Sequence, residues 1–167
     1  MQRLIESLER VNRIVGGSLK WFALLMLLIQ FFIVIARYVF GYSSIALQES
    51  LLYLHAALFM LGAGYTLLVD AHVRIDIFYA KRSAAVQRRI DLIGHTLLLM
   101  PAMLTIIYFS WPAVRNSWAI LEGPISVGGL KAVFLLKSLI PAFCLLVLVQ
   151  SGACTLRLIL EPSHKHG

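Results

Sequence analysis

Arg37 and Glu49 flank a short loop, and an ion pair between them would tie together the two apolar segments that they end and begin. Gln48 stands beside Glu49 as a neutral hydrogen-bonding group. His72 and Asp76 are four positions apart, so on a helix they face the same way and can share a hydrogen bond. They serve either to cap and orient a bend or to contact a partner. Trp118, Glu122 and Ser126 fall in the run Arg115 to Leu130, where Gly and Pro break any helix and a Trp suits a membrane interface or a protein contact equally. Such groups pair, cap and dock. No nucleophile elbow, metal-spaced Cys/His cluster or phosphate loop accompanies them, so the reading is of a non-enzyme without cofactor or metal. Cys144 and Cys154, ten positions apart and about 15 Å along a helix, cannot bridge each other.

The elements that position these residues are apolar. Sixty per cent of the 167 residues are hydrophobic, fourteen per cent are charged and the mean hydropathy is +0.84, too much apolar surface for one small soluble core. The expected fold is all-α, an integral membrane protein of four transmembrane helices over roughly 21–40, 51–69, 92–114 and 133–156. Leu51 to Val69, nineteen residues without an acid, Lys or Arg, make about 28 Å of helix, enough to cross a hydrocarbon core. The net charge of +7 is dispersed around apolar spans and forms no basic face, which excludes a nucleic-acid partner. The whole chain reads as one membrane domain.

The bases also orient it. Four precede the first span, none lies in the first loop, five lie in the second and two in the third, which places both termini in the cytoplasm and the first and third loops outside. The N-terminus lacks a small-residue cleavage site, so the first span is expected to be retained. Residues 74–91 suit an amphipathic helix in the headgroup region, with Ile75, Tyr79, Val86 and Ile90 on one stripe beside Arg74, Lys81 and Arg88. Leu4, Leu8, Val11 and Val15, next to Arg3, Arg10 and Arg13, suit a second interfacial helix leading into span one. Membrane lipids are thus direct partners. Lys137 is expected to snorkel outward, Pro101 and Pro141 to bend their helices, and Gly62, Ala63 and Gly64 to allow close helix contact.

Two other functions fit four apolar helices. A b-type haem anchor of a redox complex needs two axial histidines at one depth, yet His55 lies near the outer end of span two and His95 near the inner end of span three. A small multidrug exporter needs an acid buried in the membrane to couple protons, and none of the four spans carries one.

The ordered set Arg37-Tyr38-Val39-Phe40, Glu49, and His72-Val73 with Asp76 resembles the small membrane subunit of the TRAP (tripartite ATP-independent periplasmic) transporters. That family's pattern has an Arg-Tyr/Phe-Val-Phe end to helix one, a Trp-x-Glu-Glu start to helix two and a Gly-x-x-His-Val-x-x-Asp-like exit. Ala46 stands where Trp is expected, and Gln48 where the first Glu is. Glu122 and Ser126 match more loosely a Glu-x-Ser element before the last helix. The resemblance implies a multi-pass protein of the bacterial inner membrane working with a large multi-span subunit and a periplasmic solute-binding protein. In such secondary active transporters the large subunit carries the solute, commonly an organic acid, and the coupling sodium ions. The small subunit enlarges the static scaffold and offers part of the outer docking surface, and it carries neither site. Arg37, Gln48, Glu49, His72 and Asp76 would then serve the helix pair or the subunit interface, and Trp118, Glu122 and Ser126 the docking of the binding protein.

Overall fold

The computed structural model describes residues 2–71, 82–124 and 126–160. Its helices are α1 (Gln2–Val39), α2 (Ile45–Leu68), α3 (Ala84–Ile93), α4 (Met100–Ala119) and α5 (Val133–Leu160), and no strand occurs among the described residues. Among the described residues four helical courses are long and apolar enough to cross a membrane: α1, α2, Ala85–Ala119 and α5. The first turns of α1 and the last turns of α5 lie at one end of the bundle, where Arg157 of α5 reaches Glu9 of α1 at 2.7 Å. That end is the terminal end below, and the end with the α1–α2 and α4–α5 loops is the distal end.

Among the described residues, the N-terminal stretch and the later part of the expected 74–91 helix are both helical, and each runs on into the span that follows it. α1 runs unbroken through Arg10, Arg13 and Lys20 into the apolar stretch, because its first half has its own packing surface: Ile5, Glu9, Asn12 and Leu19 are buried. Of the expected helix at 74–91, residues 74–81 lie outside the described residues. From Ala84 onward it is the start of the third course, joined to α4 by a π-helical stretch, Gly94–Leu99. Pro101 explains the wider turn: it lacks an N–H, and its ring crowds the carbonyl four residues back, so the ladder re-forms with the Met100 N–H reaching the His95 carbonyl.

α5 is the hub. It packs against α1, α2, α4 and the π-helical stretch, whereas the backbone of α4 approaches α5 alone among the other spans. Met103, Cys144 and Val147 form the buried apolar centre, with Ala63, Leu67, Leu99, Ile107, Phe143 and Leu148 around them. The small-residue patch of α2 therefore works on both sides, Ala63 toward this centre and Gly64 toward Asn12 of α1, whose amide oxygen occupies the place a side chain at 64 would need.

A polar layer crosses the terminal end. Asn12, wholly buried, donates from Nδ2 to the Leu146 carbonyl and to Gln150 Oε1, both at 3.2 Å. His95 Nδ1 and Ser151 Oγ are 3.1 Å apart, and Arg88 donates to the Leu158 and Ile159 carbonyls that end α5. Each interhelix bond of this kind contributes about 0.6 kcal/mol on average in membrane proteins, so the layer fixes the register of α1, α5 and the third course more than it adds stability. Glu9 lies ahead of the span expected at 21–40 and is buried at the terminal end, where Arg157 pairs with it.

Candidate functional site

The distal end is built by three short-range devices. Gly41, at φ +64, turns the chain after α1, and the Tyr42 N–H caps the Ala36 carbonyl at 2.9 Å. Ser44 then caps α2, its hydroxyl accepting from the Leu47 N–H at 3.4 Å. After α4 the chain reverses through Leu121, held at φ +44, a left-handed conformation that costs a non-glycine residue about 1 kcal/mol. The reversal sets the Glu122 N–H on the Ser117 carbonyl at 2.9 Å and turns the Glu122 side chain toward α5.

Glu49 does not pair with Arg37. Its Oε2 accepts the backbone N–H of Leu130 at 2.6 Å, eighty-one positions along the chain, and so clamps the start of α2 to the α4–α5 loop. Arg37 is exposed on α1 and has no carboxylate partner among the described residues. The carboxylate is the better hydrogen-bond acceptor for a loop amide that no helix satisfies, and a bond of this charged kind is worth about 1.5–3 kcal/mol. Gly128 and Gly129 serve this clamp for different reasons. Gly128 takes φ +84, while a Cβ on Gly129 would stand 2.5 Å from both Glu49 oxygens.

A second clamp ties the same loop to α5. Lys137 Nζ meets Glu122 Oε2 at 2.5 Å, so Lys137 does not merely snorkel. The Lys137 hydrogen bond holds the Glu122 carboxyl below its ordinary value. Trp118 is fixed on the same side: its Nε1 donates to Ser138 Oγ at 2.8 Å, its ring meets Phe134 edge-on at 4.7 Å, and 46% of it remains exposed.

The structure thus brings Trp118 and Glu122 together on α5 and sets Glu49 on the neighbouring flank of the loop. Gln48 and Ser126 are exposed without engaging either clamp. His72 and Asp76 lie outside the described residues. His55 is exposed in the distal half of α2 while His95 is engaged by Ser151 at the terminal end. Sequence reasoning missed Lys137 and the glycine pair as members of the site; the adjacent Gly128-Gly129, placed after a loop acid, was the available signal.

Around the clamps the distal end is apolar and exposed. Tyr38, Val39, Phe40, Tyr42, Ile120 and Leu121 are each more than half exposed, and Val127 at the loop tip is 95% exposed. Four bases, Arg37, Arg115, Lys131 and Lys137, face two acids there, both held in the clamps. An apolar, mildly basic cap of this kind can bind another macromolecule.

The family model of the DctQ component of the tripartite ATP-independent periplasmic transporters matches residues 26–161, from the apolar part of α1 to the end of α5. No curated protein and no solved structure matches the chain.

Proposed function

The chain belongs to the DctQ components of the tripartite ATP-independent periplasmic transporters, a family of small membrane subunits, and on that premise we propose that it is the scaffold and docking subunit of a sodium-coupled importer of an organic acid or similar solute. It packs beside the large transport subunit and holds still while solute and sodium cross elsewhere. The observation that carries this reading is the doubly clamped distal loop. Glu49 and Glu122, the acids of that end among the described residues, are both engaged in fixing the loop. A docking surface profits from such rigidity, because less freedom is lost on binding.

In this account the distal end faces the periplasm and both termini face the cytoplasm, following the excess of bases in the N-terminal segment and in the second loop. The exposed Val127, Trp118 and Leu121 would meet apolar groups of the binding protein, and the surrounding bases its acids. Arg37, Gln48, His72 and Asp76 remain assigned to contacts with the large subunit. Cysteines introduced at Ser43 and Ser126 should react with an impermeant thiol reagent outside intact cells, and one at Ser83 should not. Labelling of the Ser83 position from outside would reverse the orientation and remove the docking role.

A further inference from the structure

We propose that the groove between α4 and α5 is a binding site for an acidic phospholipid of the surrounding bilayer. Trp111, Val114, Arg115 and Trp118 recur at i, i+3, i+4 and i+7 on α4, and Ser138, Pro141, Ala142 and Leu145 recur identically on α5. Two facing ridges therefore enclose a trough of about 460 Å³. The trough stays open because Ala142 is small and because no other span approaches α4 closely.

Its polar groups point to the ligand. Trp118 Nε1 is spent on Ser138 Oγ, and Ser138 Oγ donates to the Phe134 carbonyl at 2.7 Å. Glu122 is held by Lys137. Arg115 is left as an exposed guanidinium with no acidic partner among the described residues. It lies about 6 Å before the end of α4, at headgroup depth, while Trp111 and Leu145 mark the trough roughly 6 Å further along the helices. A phosphate on Arg115 and an acyl chain along Trp111, Pro141 and Leu145 satisfy both halves of the site at once. A helix of another subunit would cover the trough and bury the guanidinium unless it supplied an acid of its own. With no free acid at the mouth to receive an ammonium headgroup, the site favours an acidic lipid over a zwitterionic one.

The test uses the full chain with Trp21→Phe, so that Trp111 and Trp118 alone report, in nanodiscs of phosphatidylcholine carrying either brominated phosphatidylglycerol or brominated phosphatidylcholine. Half-maximal quenching is expected at about a fivefold lower mole fraction of the phosphatidylglycerol, the factor that one base near the surface supplies. Arg115→Gln should abolish the difference, and Arg37→Gln, outside the groove, should keep it. Coincident quenching curves, or a preference that survives Arg115→Gln, would overturn the proposal. In the assembled transporter, the α5 segment around Leu145 should stay open to labelling by a photoactivated diazirine on the acyl chain of added phosphatidylglycerol. Its protection when the large subunit is added would assign the groove to that subunit and equally overturn the lipid site.

Discussion

Replacing Gly129 with Ala should release the loop that Glu49 holds, even though the substitution adds only a methyl group to a partly exposed turn. The new Cβ would stand 2.5 Å from both carboxylate oxygens, well inside the contact distance of carbon and oxygen, so the carboxylate must swing away from the Leu130 N–H. Glu49→Ala removes the same bond from the other side. A charged hydrogen bond contributes about 1.5–3 kcal/mol, and water reaches this half-buried site to recover part of it, so each single change should cost about 1.5 kcal/mol. Glu49→Gln keeps a neutral acceptor and should cost about half as much. The two large effects share one bond. The double variant should therefore cost about the same 1.5 kcal/mol and not 3, a coupling of roughly 1.5 kcal/mol. Amide hydrogen exchange at Leu130 reads this directly, since 1.4 kcal/mol is a tenfold change in the opening equilibrium: exchange should quicken roughly tenfold in either single variant and no further in the double. Additive effects, or unchanged exchange in Glu49→Ala, would refute the clamp.

The Glu122 carboxyl lies below its ordinary value because Lys137 hydrogen-bonds it, so that pairing contributes fully above the ordinary carboxylate range and is lost as pH falls through the lower folded value. Infrared titration should show Glu122 protonating at a lower pH than in Lys137→Met, and equal midpoints would contradict the pairing. Leu121→Gly should raise the thermal midpoint in detergent by relieving the left-handed strain, worth about 1 kcal/mol for a side chain that is 63% exposed; a lower midpoint would show that the leucine packs. Arg157→Gln should destabilise the terminal end by about 1–2 kcal/mol, with Glu9→Gln restoring part of the loss in the double variant, because the acid is buried and the arginine half exposed. Simple addition of the two losses in thermal unfolding would rule the pair out.

The four spans were legible because runs of twenty apolar residues have few alternatives to a membrane. What the sequence hid were partners chosen at long range. Arg37 and Glu49 are near in the chain and opposite in charge, yet the carboxylate serves an orphan amide eighty-one residues on, since a loop N–H has nowhere else to go. Lys137 resembled a snorkelling base until Leu121 turned Glu122 back onto it. The charged start of α1 resembled an interfacial helix because Arg3, Arg10 and Arg13 dominate its pattern, whereas its packing is set by Glu9 and Asn12 through partners more than 130 positions away. Trp118 was singled out from residue type and Glu122 also from the looser family match, and the structure sets both against α5. Ser126 takes part in neither clamp through its side chain, although its carbonyl accepts the Gly129 N–H at 3.1 Å.

The account makes this chain an accessory to transport and never its agent. The most direct measurement is gradient-driven solute uptake into liposomes containing this chain, the large subunit and the binding protein, with each omitted in turn. Accumulation should require all three under a sodium gradient, and this chain alone should move nothing. Uptake by liposomes holding only this chain would contradict the account at its centre.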